Sequence, residues 1–340
     1  MRTWAGEDHR LSLAGSTISL QCREAQPPLN PPVRRLSFLR AVDSLIIAFT
    51  MLLTFIVLAL AGVKEGSTPI IVTNVAACCL MVGLAVAASK TNNALVRAIH
   101  DWYPVPVIFL VFKEIHAITE LLGSHDWDAL FIGIDRAIFQ TDPTVWFGGF
   151  SAPLITELLQ IAYASYYFIM LAVGIELFMR KERQKFSFIL FAITFGFFLS
   201  YLGYLAFPAI GPRFTLHDFN SLSTELPGIW FTNVIRHVLN AGESIPESGV
   251  NAYLLAQRDA FPSGHTEMTL ISMYLAARYR LHSRYVLYAF GTLLIISTVY
   301  LRYHYVIDLV AGLAFMLFVV WTAPIIFTWF EGIKKEESSI

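Results

Sequence analysis

The chain has 340 residues, of which 56% are hydrophobic and only 14% are charged. Soluble domains carry roughly 25% charged residues, so this composition, with a mean hydropathy of +0.59, indicates an integral membrane protein. The net charge of −1 provides no basic field for nucleic acid, and the 3 cysteines are too few and too badly spaced for a disulfide framework.

Residues 1–41 contain Pro, Arg and Ser but no apolar core, which predicts a cytoplasmic N-terminal tail and not a secretory signal peptide. A spanning helix needs about 20 mostly apolar residues, and by that rule the chain is an all-α, polytopic membrane helix bundle with about eight transmembrane helices. These helices are predicted near 42–61, 69–89, 104–122, 153–179, 186–207, 262–281, 284–302 and 304–330.

Two further segments are not predicted to span. Segment 127–140 is short and amphipathic, with apolar residues such as Leu130 set against Asp128 and Asp135, so we expect it to lie in the membrane interface. Segment 214–260 is polar, contains Gly and Pro, and is predicted to be a long outer loop.

The distribution of basic residues predicts the orientation. The N-terminal tail, the loops after the second, fourth and sixth predicted helices and the C-terminal end together carry 17 Lys and Arg, whereas the opposite side carries 6. The more basic side faces the cytosol under this rule. Both termini are therefore predicted to be cytoplasmic, and Arg213, His265 and His304 all fall on the extracytoplasmic side, periplasmic or lumenal.

His304 and Asp308 are four residues apart at the start of the last apolar segment. On a helix this spacing places both on one face, so the carboxylate can accept from one imidazole nitrogen and leave the other as a nucleophile. A carboxylate inside a membrane helix is costly and must be paired or hydrated. The alternative interpretation is that Asp308 only neutralises Arg302 at the interface.

The segment Phe-Pro-Ser-Gly-His at 261–265 has the composition of a helix start. Ser263 can cap the helix, Gly264 lets the backbone approach a ligand closely, and the first-turn amides form a cradle for an anion. His265 would then be positioned to protonate a leaving oxygen. The alternative is a helix start with an incidental interfacial histidine.

Arg213 follows a helix-ending Pro208 and can bind phosphate oxygens with two N–H groups. Arg302 offers a second phosphate clamp. The alternatives are an arginine anchored to lipid headgroups for Arg213, and an ion pair or a lipid phosphate for Arg302. Two histidines, a carboxylate and an arginine on one face indicate a hydrolase or transferase for phosphate esters. No set of residues has metal-ligand spacing, so we expect neither a metal nor another cofactor.

These motifs resemble those of the type 2 phosphatidic acid phosphatase superfamily: Phe-Pro-Ser-Gly-His at 261–265 followed by His-Tyr-Val-Ile-Asp-Leu-Val-Ala-Gly at 304–312. Tyr-Leu-Arg-Tyr-His-Tyr at 300–305 is similar to the inositol phosphorylceramide synthase branch, which contains inositolphosphotransferases. The phosphatase-type third motif has an arginine where this chain has Ser297 and Thr298. The phosphatase-type first motif is also missing, with Gly-Pro-Arg-Phe at 211–214 in its place, and both departures favour the transferase branch.

The apolar segments and the basic residues predict N-terminal transmembrane helices over 42–122 and a cytoplasmic tail over 334–340, and the resemblance implies a catalytic membrane domain with a six-helix core over 123–333. It also implies a metal-independent transfer in two steps. His304, oriented by Asp308, would attack phosphorus, and His265 would protonate the leaving alcohol and then deprotonate the acceptor. The residues that would hold the phosphoryl oxygens are Arg213, Arg302, Ser263 and the amides around Gly264.

The implied partners are the bilayer, a phospholipid donor and a lipid alcohol or water as acceptor. With water as acceptor, the chain would be a lipid phosphate phosphatase acting on phosphatidic acid or a polyprenyl phosphate. A non-enzymatic transporter would place its charges near the bilayer midplane, whereas here they lie at one face. The vanadate-dependent haloperoxidases of the same superfamily are soluble and have the missing motifs.

Overall fold

The computed structural model describes residues 38–338 apart from 124, 244 and 246–250, with side chains described as far as residue 331. Every regular element in this part of the chain is a helix, which confirms the all-α class. The predicted tail over 1–41 lies outside the described residues, except for its last four positions.

The N-terminal part consists of four helices, α1 (Ala41–Leu60), α2 (Thr68–Lys90), α3 (Ala94–Trp102) and α4 (Pro104–Leu122). Proline at the start of α4 suits a helix because its missing N–H would be unpaired there in any case. The helix ends at Gly123, whose φ of +63° is the left-handed conformation common after a helix. The buried residues of α4 recur every three or four positions and face α1 and a later helix, α9 (Arg183–Ala206): Ile108, Val111, Ile115 and Ile118.

The central part contains α5 (Asp128–Phe139), α6 (Pro143–Gly148), α7 (Pro153–Ala164), α8 (Tyr166–Met179) and α9 (Arg183–Ala206). The helix predicted over 153–179 is broken at Ser165 into α7 and α8, which are bent by 47°. Helix α9 lies in the middle of the bundle and packs against α1, α4, α8 and two later helices, α14 (Gly264–Arg278) and α16 (Val306–Ser338).

The segment predicted as a long loop is folded into short helices: α10 (Pro212–Thr215), a 3₁₀ turn (Phe219–Ser221), α11 (Leu222–Glu225), α12 (Thr232–Gly242) and α13 (Ala252–Leu255). Glu157 of α7 explains why α12 starts where it does. Its carboxylate accepts hydrogen bonds from the main-chain N–H groups of Ile229 at 2.8 Å and Phe231 at 2.6 Å, and from the Thr232 hydroxyl at 2.7 Å. These groups would otherwise be unpaired at the helix N-terminus.

The C-terminal part consists of α14 (Gly264–Arg278), α15 (Arg284–Tyr300) and α16 (Val306–Ser338). Helix α14 is enclosed by α8, α9, α15 and α16, and its apolar residues Met268, Ile271 and Leu275 are buried. Helix α16 is longer than the predicted 304–330, so residues 334–338 of the predicted tail are still helical.

Fewer described helices are long and apolar enough to cross a membrane than the eight spans predicted. Four described helices are long and apolar enough to cross a membrane, namely α1, α2, α9 and α16, and α7 with α8 would make a fifth if the bent pair is one span. Helix α15 is apolar but has only 17 residues. The chain is thus a polytopic membrane helix bundle, and the count of eight stays a prediction.

Candidate active site

Three chain segments that are far apart in sequence meet at one end of the bundle. They are the turn after α9 with Arg213, the start of α14 with His265, and the link between α15 and α16 with His304. Nε2 of His304 lies 3.4 Å from Nδ1 of His265. The positive charge of Arg213 acts on both imidazoles. The structure therefore brings the two histidines and one arginine into a single group.

The carbonyl of Ala260 determines which nitrogen of His304 carries the proton. Nδ1 lies 2.8 Å from this oxygen and 3.3 Å from Oδ2 of Asp308. Because a carbonyl can only accept, Nδ1 is the protonated nitrogen, and Nε2 presents its lone pair towards His265. Burial lowers the pKa of His304 to about 4, against the opposing effect of the negative charge of Asp259. His304 is thus a neutral, oriented imidazole at neutral pH.

Asp308 connects the two histidine segments. Its Oδ2 accepts a hydrogen bond from the N–H of Tyr305 at 2.9 Å, and its main-chain carbonyl accepts one from the N–H of Ser263 at 3.0 Å. The side chain is fully buried. The contact with His304 is longer than that of the Ala260 carbonyl, so the carboxylate shares the orientation of the imidazole with a backbone group that has no sequence signature.

His265 stands in the first turn of α14, where the Ser263 hydroxyl accepts from the N–H of Thr266 at 3.2 Å and caps the helix. Its ring packs against those of Tyr163, at 4.6 Å between centroids, and Tyr166, at 4.2 Å. A Cβ on Gly264 would lie 2.4 Å from the Tyr204 hydroxyl. The missing side chain at Gly264 therefore makes room for α9.

Arg213 is held by a sharp turn and by aromatic rings. Gly211 has a φ of +88°, and a Cβ there would lie 2.6 Å from the carbonyl oxygen of Tyr303, so both conformation and space require glycine. The guanidinium lies over the rings of Phe214 and Tyr303, with 4.6 Å and 4.7 Å to the centroids. It forms an ion pair with Glu243. Although burial opposes the charge, Glu243 keeps the pKa of Arg213 above its usual range.

Arg302 lies in a second cluster, which contains Glu225, Gly148 and His217. It has a φ of +69°, which is rare for a residue with a side chain, and it is 4% exposed. Its guanidinium forms an ion pair with Glu225 and lies next to Gly148. Burial and the charge of Arg302 lower the pKa of His217 to about 4. Among the described residues, Arg302 thus pairs with Glu225, and the role of Arg302 as a phosphate clamp stays a prediction.

Two carboxylates of α5 hold the loops on which the site is built. Asp128 accepts from the N–H groups of Ile210 at 3.0 Å and Gly211 at 2.9 Å, just before Arg213. Asp135 accepts from the N–H groups of Val306 at 2.8 Å and Ile307 at 3.0 Å, just after His304. Burial raises the pKa of both carboxyls above the usual range.

The inward face of α5 is therefore the acidic one. From the sequence we expected Asp128 and Asp135 on the polar face of an interfacial helix, but they are 5% and 2% exposed, whereas apolar Leu130 and Ile138 are 46% and 60% exposed. The two acids are seven residues apart, a spacing that places them on one side of a helix. That spacing was the available sequence signal for their shared role.

Sequence reasoning also missed groups next to the histidines. Tyr163 packs between His265 and Tyr303. Glu243 and Asp259 bring negative charge to the site, and burial together with Glu243 raises the pKa of Asp259 to about 7. No group of three His, Cys, Asp or Glu that could hold a metal ion occurs among the described residues.

Comparison with known families agrees with this arrangement of residues. The family model described as the PAP2 superfamily matches residues 133–322, which is more than half of the chain and includes Arg213 and both histidines. The chain belongs to the PAP2 superfamily. Membership supports a phosphatase-type or phosphotransferase-type activity on lipid phosphoesters. Neither the curated proteins nor the solved structures gave a match.

Proposed function

We propose that this chain is a membrane phosphotransferase that moves a phospho-headgroup, such as phosphoinositol, between lipids through a phosphohistidine on His304. The observation that carries the proposal is the orientation of His304, whose Nδ1 is held by the Ala260 carbonyl at 2.8 Å while Nε2 lies 3.4 Å from His265. A neutral imidazole with a fixed tautomer and an unprotonated Nε2 is an activated nucleophile.

In the first step, Nε2 of His304 attacks the phosphorus of the donor lipid. The P–N bond forms while the bond from phosphorus to the leaving oxygen breaks, and the leaving oxygen takes a proton from His265, which enters this step as the imidazolium once the anionic phosphate is bound. Arg213 and the first-turn N–H groups of α14 stabilise the negative charge that develops on the nonbridging oxygens. Asp308 and the Ala260 carbonyl keep the proton on Nδ1 and stabilise the positive charge of the modified imidazole.

In the second step, His265, now neutral, takes the proton of the acceptor hydroxyl, and the acceptor oxygen displaces His304 from phosphorus. A lipid hydroxyl as acceptor gives transfer, and water gives hydrolysis. Aromatic rings around His265, from Tyr163 and Tyr166, limit the space for free water and favour transfer. The hydroxyls of Ser297 and Thr298, where phosphatase-type relatives have an arginine, are bonded to main-chain carbonyls of α15 at 2.6 Å and 2.7 Å.

The same proposal places the site on the extracytoplasmic side, periplasmic or lumenal, with both termini in the cytosol. The support is the excess of basic residues on the other side of the membrane, 17 against 6. Donor and acceptor lipids would then reach the site within the outer leaflet. We include Ser263, Gly264 and Arg302 in the proposed phosphate-binding group.

The test uses purified full-length protein and phosphatidylinositol labelled in the headgroup phosphate, with and without ceramide or diacylglycerol. Chromatography of the products should show label on the acceptor lipid. Release of free inositol phosphate, unchanged by an acceptor lipid, would identify a hydrolase. Absence of turnover on phosphodiesters and phosphomonoesters alike would contradict the proposal.

A further inference from the structure

Glu243 forms an ion pair with Arg213, the arginine on which the proposed chemistry depends. Its carboxylate pairs with Nη2 of Arg213, whereas Nη1 of Arg213 is buried and has no hydrogen-bond partner among the residues that the structure describes. A phosphoryl group has the same needs as this carboxylate: it is anionic and binds two N–H groups of a guanidinium. The structure thus has a carboxylate at a position that a phosphoryl oxygen would take.

Glu243 is not required to hold Arg213 in place. The guanidinium already lies between the rings of Phe214 and Tyr303, at 4.6 Å and 4.7 Å from the centroids. Its backbone follows Gly211, which is fixed by Asp128. Two aromatic faces and an anchored turn determine the position of the cation, so the ion pair adds little further constraint.

The location of Glu243 is unfavourable in its own helix. The residue is the C-cap of α12, where the partial negative charge of the helix end disfavours an acid. Its side chain is 19% exposed, compared with 6% for Arg213. A carboxylate with partial access to water at the end of a short helix can leave its partner, whereas the buried guanidinium cannot.

We infer that Glu243 is an internal competitor for the phosphoryl group: it neutralises Arg213 when the site is empty and is displaced when an anionic substrate binds. This inference rests on the proposed function of Arg213 as the phosphate-binding residue. Glu243 and the substrate cannot share the guanidinium without contact between two negative groups. The free energy needed to displace the carboxylate therefore lowers the affinity for the substrate. Glu243 therefore selects against weakly bound anions, because only a group that gains more from the whole site than the carboxylate does can displace it.

The test measures anion binding apart from turnover, by calorimetric titration of orthovanadate into full-length protein in detergent. Glu243→Gln keeps the shape of the side chain but removes the charge. We expect the vanadate Kd to fall by about tenfold, which corresponds to about 1.4 kcal/mol. Glu176→Gln is the matched control, since its side chain is 17% exposed and pairs with Arg180, which is outside the proposed phosphate-binding group, and it should change the Kd by less than about twofold.

A double-mutant cycle shows whether the gain acts through Arg213. In an Arg213→Gln background, Glu243→Gln should lose most of its effect on the vanadate Kd. A Kd that is unchanged or raised by Glu243→Gln would overturn the inference, because it would mean that Glu243 positions the arginine. Vanadate binding by neither wild type nor Glu243→Gln would overturn it as well. Vanadate binding with the expected gain but without lipid turnover would leave the inference standing and contradict only the proposed transfer reaction.

Discussion

Replacing Asp135 by alanine should damage the site although the side chain touches no catalytic group. Its two oxygens accept from the N–H groups of Val306 and Ile307, and the carboxyl is 2% exposed. A hydrogen bond to a charged group contributes about 1.5–3 kcal/mol net. Water at the membrane boundary can replace part of this, so we expect the two bonds together to contribute about 3 kcal/mol to stability.

The loss should also lower kcat. The two N–H groups belong to the first turn of α16, directly after His304, and without their acceptor this turn can shift relative to the Ala260 carbonyl that orients the imidazole. A displacement of about 1 Å at a reacting group can cost 100-fold in rate. Asp135→Asn retains one acceptor oxygen, so about half of the stabilisation that the two hydrogen bonds provide should remain.

The measurements are thermal unfolding in detergent and kcat on a soluble aryl phosphodiester. Asp142→Ala is the control: it breaks an ion pair with Arg136, whose side chain is 55% exposed, and such surface pairs contribute about 0–1 kcal/mol. Equal effects of Asp135→Ala and Asp142→Ala on both stability and kcat would refute the idea that Asp135 anchors the catalytic turn.

Three further outcomes follow from the site. With an aryl phosphodiester, His265→Ala should accumulate acid-labile phosphate on the enzyme while His304→Ala should carry none; label retained on His304→Ala would reverse the two roles. The depressed pKa of His304, about 4, keeps the imidazole neutral in mild acid, so the acid limb of the kcat/KM profile should fall as the pH drops through that range, and an acid-limb midpoint near 6.5 would contradict the proposed orientation of His304. Cysteine at Ser223 should react with an impermeant thiol reagent in intact cells and cysteine at Gln184 should not, and the reverse pattern would place the site in the cytosol.

Helix positions were largely predictable because two simple signals determine them. Long apolar segments produced α1, α2 and α9 close to the predicted bounds. The start of α14 was marked by Ser263, a residue whose hydroxyl can cap a helix, and the structure has this cap. Breaks inside apolar segments were not predictable: α7 and α8 are separated at Ser165, which has no proline or glycine to mark the bend.

The burial of α5 was misjudged for a reason specific to membranes. The prediction was an interfacial helix, whose polar face with Asp128 and Asp135 is expected to point towards water and the lipid headgroups. Next to lipid, the apolar face can point outwards instead, and the acids then face main-chain N–H groups inside the protein. Periodicity alone cannot distinguish these two orientations, because it is the same in both.

Contacts that involve the backbone or distant charges were also beyond the sequence. The carbonyl of Ala260 orients His304, but any residue could supply a carbonyl at that position. The ion pair between Glu243 and Arg213 joins residues 30 positions apart in a segment that looked like a loop. Such contacts depend on how short helices such as α12 pack on the bundle, which no local pattern specifies.

Four carboxylates fix the loops around the site at the membrane boundary. Asp128, Asp135, Asp308 and Glu157 each accept main-chain N–H groups from a loop of the site region. Carboxylate-to-amide bonds are strong, and they cross-link segments far apart in sequence without occupying the catalytic side chains. Fixed loops keep His304, His265 and Arg213 in position before the substrate arrives, so little reorganisation is needed as charge develops on phosphorus. In the proposed mechanism the carboxylates therefore act through the main chain, and the acid that the substrate would displace is Glu243, whose side chain has partial access to water.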